Sequence, residues 1–303
     1  MTADDSNGAT AKYGSEGESS PPVVRMMVLE TDEPHPQSQE RKGTYGENLH
    51  RHFKAAGDEH KPRLGIETDI RFVVADKGGE VPKASEFEGF DAVLLTGSMY
   101  DAHGDDDWIK DLKALLKELW QTRPDMRFSG ICFGHQILCR LLGSEVRPSP
   151  SQDWELGHSQ INLTAVGQRL FQTDDSVVHL HQMHQDHVVA PPTYSSANGL
   201  LAENAEVSVW GSSPHTNVQG VYIPRRMFTV QAHLAFDEQM VKREMEMRIE
   251  QGAIEGKDRE TAERAAETAH LDHDGDVVAA AILRFFHGDD DDDDIDVEMA
   301  RKK

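Results

Sequence analysis

Apolar residues in this chain fall into short compact runs separated by stretches of helical period. Val23 to Glu30 (VVRMMVLE), Ile70 to Val74, Ala92 to Leu95 and Met126 to Ile131 are runs of strand-forming residues. Between them Tyr45, Leu49 and Phe53 recur every fourth position, and Ile109, Leu112, Leu115, Leu116 and Leu119 line one side of a helix expected from Asp107 to Trp120. Thr31 to Arg41 contains Pro34 and Pro36 and reads as a loop over the carboxyl end of the first strand. This alternation predicts an α/β domain with a parallel sheet covered on both faces.

The pattern then changes. Glu155 to Leu163 and Val177 to His184 alternate like half-exposed strands, and Leu201–Ala202, Val207 to Gly211 and Met227 to His233 are further candidates. Pairs of short strands predict a small antiparallel extension beside the parallel sheet. Asp237 to Ala269 is charged and helix-forming, with Met240, Val241, Met245 and Ile249 spaced for one apolar face. Val277 to Phe286 is an apolar helix expected to dock on the core.

Composition sharpens the boundaries. Residues 1–21 are rich in Ser, Gly, Asp and Glu and predict a disordered tail, and 288–303 a solvated acidic one, leaving 22–287 as the domain. The net charge of −23, from 54 acidic and 31 basic side chains, disfavours nucleic acid and anionic membrane as partners. No apolar run reaches the roughly 20 residues of a membrane span. The two cysteines, Cys132 and Cys139, would diverge on a helix, so a disulfide is not expected and the compartment reads as reduced and cytoplasmic.

The chemistry centres on Ser129-Gly130-Ile131-Cys132-Phe133-Gly134-His135-Gln136. A strand, a tight turn and a helix (Ile137, Leu138, Leu141, Leu142) in immediate succession form the geometry of a nucleophile elbow. Gly130 and Gly134 supply the small neighbours that a strained turn needs. The thiol of Cys132 stands at a helix N-terminus, whose dipole favours thiolate. The alternative is a buried core thiol, the reading given to Cys139.

A thiol nucleophile needs a base. Of sixteen histidines, His233 stands just past a strand, on the carboxyl side where open α/β sheets place their sites. The turn Thr96-Gly97-Ser98 could supply an oxyanion donor from its backbone together with the Phe133 N–H, or be an ordinary turn. His184-Gln185-Asp186-His187-Val188 is either a solvent loop or part of a metal site. A second ligand cluster is absent, so no metal or other cofactor is expected.

These residues carry a resemblance. Gly-Ile-Cys-Phe-Gly-His-Gln at 130–136, Leu-Leu-Thr-Gly-Ser at 94–98 and Val-Gln-Ala-His at 230–233 resemble a class I glutamine amidotransferase domain. The stretch from Gly97 to Ile109 and the segment Gln182 to Val188 are similar to its stand-alone branch of γ-glutamyl peptidases and fungal amidotransferase-like proteins. The resemblance implies a flavodoxin-like fold and attack of Cys132 on a γ-glutamyl amide, through a glutamyl thioester. It further implies Gly97 and Phe133 as the oxyanion hole, His233 as the base, and Gln136 with the His184 to Val188 loop, His184 and Asp186 in particular, bordering the glutamyl group.

One departure stands out. The family's triad continues His-Pro-Glu, whereas here His233 is followed by Leu234 and Ala235, with Asp237 or Glu238 as the only acids near enough to substitute. The leading expectation is hydrolysis of glutamine or a γ-glutamyl peptide, alone or with an ammonia-accepting partner enzyme. A regulatory protein with an idle site is the alternative. An α/β-hydrolase using Asp186 and His233 is a third, which leaves Gly-His-Gln and Thr-Gly-Ser without a role.

Overall fold

The computed structural model describes residues 21–149 and 151–290. In chain order these form β1 (Val23–Glu30), α1 (Pro36–Lys42), α2 (Tyr45–Glu59), β2 (Gly65–Phe72), β3 (Ala92–Leu95), α3 (Asp107–Thr122), β4 (Arg127–Ile131) and α4 (Phe133–Leu141). There follow β5 (Val146–Pro148), β6 (Glu155–Leu163), α5 (Ala165–Phe171), β7 (Val177–His184), β8 (Asp186–Val188), β9 (Ser208–Ser212), β10 (Gly220–Ile223) and β11 (Met227–Val230). The helices α6 (Glu238–Glu250), α7 (Lys257–Thr268) and α8 (Gly275–His287) close the fold.

The main sheet has nine strands in the order β2-β1-β3-β4-β11-β10-β9-β6-β7. From β2 to β11 the pairings are parallel, and from β11 to β7 antiparallel. β5 and β8 form a separate antiparallel pair. The mainly parallel sheet with an antiparallel extension is therefore present. Period-two alternation divides the core cleanly. Val24, Met26 and Val28 of β1 face α2 and α8, where Phe53 and Phe286 meet at 6.0 Å. Met27 and Leu29 point the other way, toward α3 and α4, where Trp108 stacks on Phe133 at 5.7 Å. Each such buried side chain contributes roughly 1.5–3 kcal/mol relative to exposure.

Several expectations change. The loop expected from Thr31 to Arg41 contains α1, because Pro36 at the first helical position has its φ preset and His35 Nδ1 accepts the Gln37 N–H at 3.2 Å. Leu201–Ala202 is not a strand; Leu201 buries its side chain within a loop without pairing its backbone. The long charged helix is two, broken where Gly252 and Gly256 take φ of +74° and +57°. Asp290, expected in a solvated tail, is buried: it accepts from Arg127 Nη1 at 2.8 Å, Tyr222 Oη at 2.9 Å and the Arg225 N–H at 3.1 Å. The expected N-terminal tail and the rest of the acidic run lie outside the described residues.

Candidate active site

Three neighbouring parallel strands deliver the candidate residues to one edge of the sheet. Gly97 follows β3, Cys132 follows β4, and His233 lies three residues past β11. Their carboxyl ends form the crevice that open α/β sheets use for ligands. Cys132 has φ +52° and ψ −106°, the strained conformation an elbow imposes. The turn tolerates no Cβ beside it: one on Gly130 would sit 2.3 Å from the Gly134 carbonyl, and one on Gly134 2.5 Å from Leu95 O.

The end of β1 pins the turn after β3. Thr31 N–H donates to Thr96 Oγ1 at 3.0 Å, Thr31 Oγ1 donates to Gly97 O at 3.0 Å, and Asp32 accepts the Met99 N–H at 2.8 Å. The Gly97 carbonyl is thereby turned into the protein, and among the described residues its N–H has no partner. A Cβ at Gly97 would lie 2.9 Å from His233 Cε1 and 3.5 Å from Cys132 Cβ. Only glycine lets the thiol and imidazole close on the turn from both sides.

Cys132 opens into a pocket of about 200 Å³ lined also by Ser98, Asp101, Gln136, His184, Asp186 and Arg248. Five of the residues expected from the sequence thus line one cavity. His233 lies on the other side of Gly97, against a void of about 20 Å³ shared with Tyr45, Asn48 and Ala235. Among the described residues no hydrogen bond joins the thiol to the imidazole, and His233 Nε2 is buried without a partner. Such bonds commonly tighten only around a reacting substrate.

Electrostatics correct one expectation. Burial pushes the Cys132 thiol up to about 11, although Arg248, the Phe133 N–H and the Gln231 side chain all favour its anion. The helix terminus therefore does not hold a resting thiolate; loss of hydration outweighs it. Burial, aided by the charge of Arg248, depresses His233 to about 3. The pair rests as neutral thiol and neutral imidazole. Alkylation of Cys132 by iodoacetamide should accordingly rise about tenfold per pH unit from pH 7 to 9 without reaching a plateau. A plateau below pH 8, read by mass spectrometry, would show that a thiolate is already formed.

Asp237 is not brought to His233. It caps α6 through the Met240 N–H at 3.0 Å and takes a bidentate contact from Arg41 at 2.8 and 2.6 Å, which holds its carboxyl far below the usual range. Glu238 pairs with Lys242 at 2.6 Å. Among the described residues no carboxylate forms an ion pair with His233, and the expected substitution of the acid by Asp237 fails because Arg41 claims it.

Gln136 Nε2 donates to Asp186 O at 2.9 Å and to Gln231 Oε1 at 3.1 Å, fixing the pocket floor. His184 contacts Asp186 O through Nδ1 at 2.9 Å and Glu155 through Nε2 at 3.0 Å. The His184 ring holds the Glu155 carboxyl below its ordinary value despite burial, through that hydrogen bond and its electrostatic attraction. Asp101, His103 and Asp186 form the only group of three metal-capable side chains among the described residues, with ligand atoms within 4.8 Å of one another. Asp101 and His103 are exposed, and His103 already pairs with Asp186 at 2.8 Å.

Arg248 and Gln231 were not among the expected site residues. Arg248 is 5% exposed and donates through Nη1 to Glu244 Oε2 at 3.2 Å, while Glu244 is fully buried. The sequence signal was there: Glu244 and Arg248, four apart, interrupt the stripe of Met240, Val241 and Met245.

The model of the family described as glutamine amidotransferase class-I matches residues 47–247, which include Cys132 and His233. The chain belongs to the class I glutamine amidotransferase family. A glutamine amidotransferase-like protein of Schizosaccharomyces pombe is 26% identical over 261 residues, 86% of this chain and 97% of the relative. Gamma-glutamyl peptidase 2 of Arabidopsis thaliana is 30% identical over 181 residues, 59% of this chain and 68% of the relative. Among solved structures, a glutamine amidotransferase of Methylobacillus flagellatus shares the fold with a TM-score of 0.58 at 17% identity, covering 88% of this chain and 92% of that one. This class I amidotransferase is thus similar both to an amidotransferase-like protein and to a gamma-glutamyl peptidase. No helix among the described residues is long and apolar enough to cross a membrane.

Proposed function

We propose that this amidotransferase hydrolyses the γ-glutamyl amide bond of glutamine or a γ-glutamyl peptide. The observation that carries this reading is the strained Cys132 facing a pocket that holds one buried guanidinium, Arg248, and two carboxylates, Asp101 and Asp186. That charge set complements the α-carboxylate and α-ammonium of a γ-glutamyl group. Nη1 of Arg248 is engaged by Glu244, and its Nε and Nη2 make no hydrogen bond among the described residues.

In the proposed reaction the Cys132 proton moves to His233 as sulphur bonds to the amide carbon. The carbonyl oxygen becomes an oxyanion facing the Gly97 and Phe133 N–H groups. The C–N bond breaks, the imidazolium proton passes to the departing nitrogen, and ammonia or an amine leaves. Water then adds to the thioester, releasing glutamate and restoring the thiol.

The test is release of ammonia, amine or glutamate from glutamine, glutathione and a γ-glutamyl anilide. Turnover on none of them would support the second reading, an idle site that binds without hydrolysis, which the presence of Ala235 in place of an acid favours. Arg248→Met should raise KM for the productive substrate by about 10- to 100-fold, the loss of a charge-assisted contact. Because it strands the buried Glu244 carboxylate, it should also cost about 3–5 kcal/mol of stability. Arg248→Met with Glu244→Gln should recover stability but not KM; recovery of both would remove Arg248 from the substrate.

A further inference from the structure

We propose that Phe236 is the positioning residue of His233, an aromatic face doing the work of the orienting carboxylate; this rests on reading Cys132 and His233 as nucleophile and base. The two rings stack with centroids 4.1 Å apart and planes 18° from parallel. Phe236 stacks in turn on Tyr45, at 6.0 Å and 20°. The phenol of Tyr45 is engaged by the buried Glu244.

The segment carrying both rings is held from three sides. His233 N–H donates to His181 O at 2.8 Å, and Asn48 Nδ2 donates to Ala235 O at 2.8 Å. The ring of His273 engages the Phe236 backbone. Asp237, next in sequence, is bound by Arg41 and Lys42 and so anchors the far end.

An orienting carboxylate has two effects: it stops the imidazole from rotating, and it stabilises the imidazolium that forms when the nucleophile gives up its proton. Phe236 produces the first by contact, since rotation would drive the imidazole edge into a ring 4.1 Å away. It produces the second through its π face, which stabilises a cation within about 6 Å. Stacking of this kind is worth about tenfold to thirtyfold when desolvated, against on the order of 10⁴ for a triad acid. Besides burial, the Arg248 guanidinium and the neighbouring His184 and His181 rings all oppose protonation of His233. Among the described residues no acid partners it; what favours the imidazolium is a hydrogen bond to the Met183 backbone and the aromatic face of Phe236.

Phe236→Leu keeps apolar volume but removes the π face, and Phe236→Tyr keeps the face. Two readouts run in parallel. One is kcat and KM on the γ-glutamyl substrate that the wild type turns over. The other is the burst of p-nitrophenol as p-nitrophenyl acetate acylates Cys132, with Cys132→Ser as the blank. Phe236→Leu should lower kcat and burst rate about tenfold with KM changed by less than about twofold, and Phe236→Tyr should stay within about threefold of wild type. Phe236→Met serves if the leucine variant does not fold. Unchanged rates in Phe236→Leu, an equal fall in Phe236→Tyr, or a loss confined to KM would each overturn the inference. So would a missing wild-type burst, or one insensitive to His233→Gln. Absence of γ-glutamyl turnover with the burst pattern intact would sink the hydrolase reading alone.

Discussion

Cys132→Ser should lower the rate of amide hydrolysis by about 10³-fold or more while leaving KM nearly unchanged. A serine hydroxyl gives up its proton far less readily than a thiol, and the base available to it is feeble: burial holds the His233 imidazole down at about 3. A carboxylate partner would normally raise that basicity, and here none touches the ring. The variant keeps the volume and the elbow, so its fold and substrate affinity should survive. Ammonia release from glutamine under saturating substrate measures the effect. Equal rates for wild type and Cys132→Ser would mean that the hydrolysis occurs elsewhere.

The second large effect is on stability in mild acid. His135, His181 and His233 are 0%, 1% and 5% exposed, and burial depresses them to about 3, 4 and 3. Unfolding returns each to an ordinary value of about 6.5. Below that pH the unfolded chain binds protons that the folded chain refuses, so stability falls as pH falls. Three such groups give a slope of roughly 4 kcal/mol per pH unit between pH 6 and 4.5. Glu30 and Asp186, raised by burial, take up protons in the folded state and offset part of this. A net slope of roughly 2–4 kcal/mol per unit should unfold the domain near pH 5. Urea midpoints by circular dichroism at pH 7.5, 6.5 and 5.5 measure it. Both ring nitrogens of His181 lack partners, so His181→Leu should remove one proton from the slope. Midpoints that do not move with pH would refute the account.

How legible these features are in the sequence follows from how strongly local residues dictate them. β1, β3 and β4 are buried on both faces and announce themselves as apolar runs, and α3 shows an unbroken helical stripe. The elbow is legible because backbone strain at Cys132 restricts its neighbours to glycine. By contrast, β10 opens on Gly220 and is followed at once by Pro224, so its three apolar residues do not stand out from the surrounding loops. Proline at 36 suggests a break but is equally at home in a first helical turn, so α1 stays hidden. Arg248 belongs to a helix that is remote in sequence from Cys132, and no local pattern reports that the two share a pocket. The raised thiol is likewise invisible, since a helix terminus is a sequence feature and desolvation is not. Asp237 lies only four residues past His233 along the chain, but Arg41, 196 residues away in sequence, decides where its carboxylate points.

The strand that carries the nucleophile is tethered at both ends. At its carboxyl end stands Cys132; at its start Arg127 grips Asp290, the last described residue of the acidic run. That grip sets a limit for protein engineering. The acidic stretch looks dispensable, and a shortened chain or a terminal tag would naturally be placed right after α8. Cutting there would leave Arg127 without its counter-ion and Tyr222 without the oxygen it bonds at 2.9 Å. A cleavage site or fusion joint therefore belongs beyond Asp290.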